Sequence, residues 1–377
     1  MKKILIVFGT RPEAIKFAPL IKEFQKYPRS FEIRICVTGQ HRQMLDQVLD
    51  FFQIKADYDL KIMKANQTLF DITSDCLNGL EKVLNDYPAD ILFVQGDTTT
   101  AFVGALAAFY KKIRVAHIEA GLRSCDKYSP YPEEINRILV GHIADYHFAP
   151  TNKSKENLIK DGISDKIKIV TNTVIDALML GIQMLNNQDI NKYLEYFNQI
   201  DFNKKIILVT GHRRENFGLG MENICNAIKK IAKNNEDVEI VYPVHLNPNV
   251  REPVNRILSN DERIHLIEPL DYPYLIWLMS KSYLVLTDSG GIQEEAPTLG
   301  KPVLVMRDVS ERMEGIEAGT AKLVGTMAEM IYYETQKLLD DEHLYQLMSK
   351  AHNPYGDGHA SERIVNFFLN LDDKNIE

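Results

Sequence analysis

Short runs of apolar β-formers alternate with amphipathic stretches along nearly the whole chain, and this alternation limits the possible folds more than any other feature. Lys3–Phe8, Phe31–Thr38, Ile91–Gln95, Ile113–Ile118, Tyr146–Ala149 and Ile167–Val170 read as strands. Glu13–Tyr27, His41–Phe52, Gln67–Tyr87, Thr99–Tyr110, Pro132–Ile143 and Ser154–Lys160 read as the helices between them. In Gln67–Tyr87, Leu69, Ile72, Cys76, Leu80, Val83 and Leu84 recur at helical spacing. A strand that is apolar at consecutive positions must be covered on both faces. Helical crossovers supply that cover and join parallel strands.

The pattern loosens between about Asn172 and Lys204, where one or two helices are expected, and then restarts. Strands are expected at Ile206–Thr210, Val238–Val244, Ile264–Ile267, Tyr283–Thr287, Val303–Met306 and Ala321–Val324, with helices between and after them. The expected class is α/β, with two Rossmann-like, doubly wound parallel-sheet domains and a cleft between them. The first domain is expected over 1–171 and the second over 172–360, with a last helix, about 361–377, able to pack back on the first.

The chain has 377 residues, long enough for two cores. A net charge of −8 argues against nucleic acid as the main partner. No apolar run reaches the ~20 residues of a membrane span, and Ile4–Phe8 is too short for a signal core. A cytoplasmic protein with no membrane partner is expected. Cys36, Cys76, Cys125 and Cys225 are scattered, without the spacing of a zinc or disulfide framework. The histidines are dispersed as well, so no metal is expected. There is no dinucleotide fingerprint and no Walker loop, and no cofactor is expected.

In open α/β sheets ligands gather beyond the carboxyl ends of the strands, so the residues there carry the chemistry. Gly9-Thr-Arg-Pro-Glu-Ala-Ile-Lys16 places Arg11 and Lys16 at a helix start, where two cations call for an anion or a carboxylate. Gly39-Gln-His-Arg-Gln43 is a polar, basic cluster suited to substrate or effector. Asp97 follows the third strand, and its plainer reading is a helix cap. Glu119 ends a buried strand, where capping explains little. Glu133 and Arg137 are spaced to pair along one helix face. In the second half, His212 lies beside Arg213 and Arg214, and His245 ends another strand. His212 is a candidate proton carrier or phosphate donor. Glu268–Tyr274 offers an edge for a base, and Arg307–Gly319 is expected to be a loop that carries Arg312. Leu284–Thr287 runs through Asp288-Ser-Gly-Gly291 into a helix. Strand, glycine turn and helix aim unpaired N–H groups at an anion, and Glu295 lies one turn on, placed for a ribose. A plain capped helix fits that stretch equally well.

Six stretches carry a specific resemblance. They are Gly9–Lys16, Gln95-Gly-Asp-Thr-Thr-Thr100, His117-Ile-Glu-Ala-Gly-Leu-Arg123, Pro132-Glu-Glu-Ile-Asn-Arg137, Thr210-Gly-His-Arg-Arg-Glu-Asn216 and Thr287–Pro297. In order and spacing, from Met1 to about Gly325, the chain resembles the non-hydrolysing UDP-N-acetylglucosamine 2-epimerases. The resemblance implies a glycosyltransferase-B-like pair of domains, the second binding UDP. It also implies a homodimer and interconversion of UDP-N-acetylglucosamine with UDP-N-acetylmannosamine for surface-polysaccharide precursors. Family roles would put Arg11, Ser289, Gly290, Gly291 and Arg312 on the diphosphate and Glu295 on the ribose. Lys16, Asp97, Glu119, Glu133, Arg137 and His212 would surround the sugar, with Asp97, Glu119, Glu133 and His212 as catalytic candidates. Gln40, His41, Arg42, Gln43, Gln67, Arg213 and His245 resemble the region where bacterial members bind a second UDP-N-acetylglucosamine as activator. Val309-Ser-Glu-Arg-Met-Glu314 departs from the usual Thr-Thr-Glu-Arg-Pro-Glu of the family. The competing readings are a glycosyltransferase of the same architecture, a UDP-sugar sensor and a hydrolysing epimerase.

Overall fold

The computed structural model describes residues 1–39, 42–64, 67–310 and 312–371, without the side chains of 42 and 43. The chain forms two compact units, Met1–Leu180 together with Gly356–Glu377, and Gly181–Tyr355. Each is built on one parallel sheet, so the α/β class and the doubly wound parallel sheets are as the alternation predicts.

The first unit contains β1 (Lys2–Phe8), β2 (Phe31–Val37), β3 (Tyr58–Asp59), β4 (Ile91–Gln95), β5 (Arg114–Ile118), β6 (Tyr146–Ala149) and β7 (Ile167–Ile169), in the spatial order β3-β2-β1-β4-β5-β6-β7. Every pairing is parallel, with Phe8 opposite Val37 and Gln95 opposite Ile118. Leu5, Val7, Leu92 and Val94 point into a core shared with Cys76, Leu80, Ala101 and Ala105 of the helices Leu69–Asp86 and Thr99–Tyr110. Leu69–Asp86 starts two residues later than expected, because Thr68 and Asp71 form a capping box ahead of it. At two residues, β3 is too short to give a periodic signal. The helix Ala360–Leu369 places Phe368 against Phe93, Tyr146 and Phe148 of this sheet.

The second unit contains β8 (Lys205–Thr210), β9 (Val238–Pro243), β10 (Ile264–Ile267), β11 (Leu284–Thr287), β12 (Val303–Val305) and β13 (Ala321–Leu323), in the order β10-β9-β8-β11-β12-β13. Pairing is again parallel throughout, with Thr287 opposite Thr210. The helix Leu219–Asn234 buries Met221, Ile224, Ile228 and Ile231 on one face of this sheet. Arg307–Gly319, expected as a loop, contains the short helix Met313–Glu317, and Tyr355 fixes its start. The Tyr355 hydroxyl donates to the Arg312 carbonyl (2.9 Å) and accepts from the Gly315 N–H (3.0 Å).

Both sheets reverse their strand order at one place, between β1 and β4 and between β8 and β11. There the crossovers depart in opposite directions, which opens a crevice beyond the carboxyl ends of the two central strands. Just past β5, Gly121 has φ +91, and a Cβ placed on it would stand 2.1 Å from the Ser154 carbonyl oxygen. Gly121→Ala is therefore expected to cost roughly 2–4 kcal/mol, readable as a lowered Tm or denaturation midpoint.

Candidate functional site

In the first unit, the switch point brings together the residues after β1, β4 and β5. Glu13 is fully buried and accepts from the N–H groups of Gly9 (3.0 Å) and Thr10 (2.8 Å) and from the hydroxyls of Thr10 (2.8 Å) and Thr98 (2.6 Å). It ties the turn after β1 to the turn after β4. Burial pushes its pKa up, while the donors from Thr98, Gly9 and Thr10 pull the other way. Held on this base, the helix Arg11–Gln25 sends the Lys16 ammonium to both oxygens of Glu119, at 2.6 and 2.7 Å. The carboxylate that the cations at this helix start call for is thus Glu119.

Asp97 does not cap the following helix. Thr98 does, accepting from the Ala101 N–H at 3.0 Å, and Asp97 instead forms an ion pair with Arg137. Asn136 donates to the Asp97 carbonyl (3.0 Å), so the helix Glu133–Ile143 holds this residue twice. Burial raises the Asp97 pKa; Arg137 opposes that, and the neighbouring Glu119 adds to it.

The expected pair of Glu133 with Arg137 does not form. Arg137 reaches Glu134 (3.2 Å) and Asp97, because Glu134 lies on the buried face, where it accepts from the N–H groups of Ser124 and Cys125, each at 3.0 Å. Among the described residues the buried Glu133 Oε2 has no hydrogen-bond partner.

In the second unit, Asp288 is fully buried at the end of β11. It accepts from the N–H groups of His212 (2.9 Å) and Arg213 (2.9 Å) and from the Asn216 amide (3.1 Å). These bonds shape the turn after β8 and leave the His212 ring partly exposed and partly covered. That ring stacks on His245 with centroids 5.3 Å apart and planes inclined by 18°. The His245 Nδ1 accepts from the Asn247 N–H (3.1 Å), which places its ring proton on Nε2. Burial lowers the His212 pKa and Asp288 opposes this, while His245 and Arg213 reinforce it. Ser289 occupies the N-cap position of the helix Gly290–Glu295, but its side chain makes no capping bond. The helix begins at Gly290, two residues earlier than the expected Ile292. Glu295 is buried and accepts from the Tyr272 hydroxyl (3.1 Å), with its carboxylate beside Gly291. Arg312 is held by Glu294 through Nε at 2.9 Å, and its N–H donates to the Ser310 hydroxyl (3.1 Å).

Of the effector candidates, Arg213 and His245 thus belong to the His212 cluster. The Gln67 side-chain oxygen Oε1 accepts from the Lys64 backbone N–H (2.6 Å). Gln40, His41 and Glu311 lie outside the described residues, as do the side chains of Arg42 and Gln43. Tyr274 packs among Tyr193, Tyr196 and Phe197. A cavity of about 270 Å³ near Trp277 and Lys281 touches none of the candidate residues.

Sequence reasoning gave no role to the side chains of Gln95, Asn172, Asp288 and Glu294, although polar residues at the ends of apolar strands were the available signal for Gln95 and Asp288. Among the described residues there is no group of three or more His, Cys, Asp or Glu side chains able to hold a metal ion, and no helix is long and apolar enough to cross a membrane.

Two doubly wound parallel sheets in one chain, with acids, bases and guanidinium groups gathered at their switch points, define a glycosyltransferase-B-like α/β enzyme. The chain belongs to the UDP-N-acetylglucosamine 2-epimerase family, and so to the isomerases, since the model of that family matches residues 22–369. A Campylobacter jejuni UDP-N-acetylglucosamine 2-epimerase is 57% identical over 377 residues, covering 98% of each chain. The crystal structure of UDP-GlcNAc 2-epimerase from Neisseria meningitidis bound to UDP-GlcNAc is 51% identical, with a TM-score of 0.91 over 98% of this chain and 100% of that one. The Methanocaldococcus jannaschii UDP-GlcNAc 2-epimerase in complex with UDP-GlcNAc and UDP is 34% identical, with a TM-score of 0.80 over 97% and 99%.

Two histidines lie behind the first cluster. His117 donates through Nε2 to the Gly96 carbonyl (2.8 Å), and the neighbouring strand places His147 opposite it. Burial is the main cause that lowers both, His117 to about 3 and His147 to about 4, from an ordinary 6.5. Below pH 6.5 the unfolded chain binds protons that the folded chain refuses, so stability falls as pH falls. The loss should begin near pH 6.5 and continue to about pH 4 for His147 and about pH 3 for His117. Each histidine contributes a slope of about 1.4 kcal/mol per pH unit. Denaturant titrations between pH 7 and 4.5 should show this slope, and His147→Phe should flatten it.

Proposed function

We propose that the chain interconverts UDP-N-acetylglucosamine and UDP-N-acetylmannosamine reversibly, without hydrolysis, for surface-polysaccharide precursors. The observation that carries this reading is the acid–base cluster of the first unit, Asp97 on Arg137 and Glu119 on Lys16. It stands in a chain related to UDP-GlcNAc 2-epimerases over nearly its whole length.

Inversion at C2 requires the C2–H bond to break. In the proposed route a base takes that proton, and its electron pair becomes the C1–C2 double bond of a 2-acetamidoglucal. UDP leaves with the electrons of the C1–O bond. Re-addition of UDP at C1, with a proton delivered to the opposite face of C2, completes the epimerisation. Arg11, Arg312 and the Ser289–Gly291 helix start would take the charge on the diphosphate, and Glu295 would hold the ribose. Asp97, Glu119, Glu133 and His212 would supply the two proton carriers and the charges around them, with Lys16 and Arg137 beside the sugar. Asp97 suits proton transfer, because burial brings its pKa closer to working pH. Lowered by burial, His212 would be neutral near pH 7 and able to accept a proton. A second UDP-GlcNAc, as activator, would reach the catalytic histidine through Arg213 and His245. A homodimer is expected as well.

The test is a nuclear magnetic resonance time course with UDP-GlcNAc in heavy water. Solvent deuterium should appear at C2 of the product, whereas retained hydrogen would overturn the elimination route. Accumulating free N-acetylmannosamine with UDP would instead identify a hydrolase. Asp97→Asn should lower kcat by about 10²–10⁴-fold while UDP affinity stays within a few-fold.

A further inference from the structure

Glu119 sits in an environment that its own motif does not announce. Its backbone adopts φ +62, a left-handed conformation that costs any residue with a Cβ, and glutamate has no special tolerance for it. Its carboxylate is buried and approached from three separate elements. Lys16 supplies charge to both oxygens. The side-chain amide of Gln95, the last residue of β4, donates to Oε2. The side-chain amide of Asn172, just before the helix Thr173–Asn186, donates to Oε1 at 3.2 Å. Both amides are buried.

An ammonium on a flexible stem attracts a carboxylate but does not fix its plane, whereas a planar amide on a fixed backbone does. The Asn172 amide is itself oriented, because its Oδ1 accepts from the Val174 N–H (3.1 Å), leaving Nδ2 as the donor to Glu119. The residue before it, Thr171, also lies at positive φ (+72), where a β-branched residue is an outlier. Arg363 meets the Val170 carbonyl and the Thr171 hydroxyl, each at 3.3 Å, and is braced by Asp357 at 2.8 and 2.6 Å. Two strained backbone positions thus aim Asn172 and Glu119 at each other. Strain concentrated on one buried carboxylate at the switch point marks a geometry that the fold holds for use.

We propose that Gln95 and Asn172 are positioning residues that orient the Glu119 carboxylate for the reaction. The proposal rests on the epimerase reading above. Neutral amides steer the carboxylate without neutralising it, and Lys16 supplies the countercharge. Neither amide needs to touch the sugar, so removing one should disturb the chemical step and leave binding alone.

The experiment compares the wild type with Gln95→Met, Asn172→Leu and Gln95→Asn. The first two keep the approximate volume and remove the donor. The third keeps the amide on a shorter arm, and it decides the matter if the first two fail to fold. Each variant should lose about 10–100-fold in kcat. The KM for UDP-GlcNAc and the Kd for UDP should stay within about two-fold. The Gln95→Met/Asn172→Leu double variant should lose less than the product of the single losses, because both amides act on one carboxylate. Wild-type kcat in the folded variants, or kcat and KM shifting together with a collapse in Tm, would overturn the proposal. Absence of C2 exchange in the wild type, run in the same assay, would overturn the epimerase reading beneath it. Exchange in the wild type with undiminished variants would overturn this inference alone.

Discussion

A carboxylate buried at the end of a strand must be surrounded by donors or it cannot remain buried. That requirement organises the strand ends of both units. In the first unit, Glu119 gathers Lys16, Gln95 and Asn172 from different elements, and Glu13 joins the turns after β1 and β4. In the second unit, Asp288 collects the N–H groups of His212 and Arg213 and the amide of Asn216. Each acid ties together segments that are distant along the chain. Removing such an acid would leave its donors unsatisfied as well as lose its charge.

The two units carry different sets of charged groups. The first concentrates carboxylates paired with cations, Asp97 with Arg137 and Glu119 with Lys16, an arrangement that can move a proton without a large net charge. The second carries a helix start, a guanidinium held by Glu294 and a carboxylate touched by a tyrosine, groups suited to an anionic nucleotide. An acidic chain can handle an anionic substrate when its positive groups are local in this way.

Much of this was legible in the residues. Consecutive apolar positions marked the strands, and polar residues immediately after them marked Arg11, Asp97, Glu119, His212 and Ser289. Where the reading failed, a competing local interaction was responsible. A plain cap was one reading of Asp97, but Thr98 takes that role, its hydroxyl accepting from the third N–H of the helix, that of Ala101. Glu133 and Arg137 had the right spacing to pair, but Glu134 faced the interior and Arg137 followed it. Met313–Glu317 was missed because the hydroxyl of Tyr355, distant in sequence, fixes its start.

The sequence by itself determined the parallel-sheet class, the polar residues that follow the strands and the family, because these follow from periodicity and from motifs read within a few residues. Only the tertiary structure decided which partner each charged group takes. Gln95 and Asn172 gain their meaning from Glu119, which lies 24 and 53 residues away from them along the chain. No local pattern encodes such a meeting, since it depends on strand order and on backbone conformations at Glu119 and Thr171 that tertiary packing must sustain.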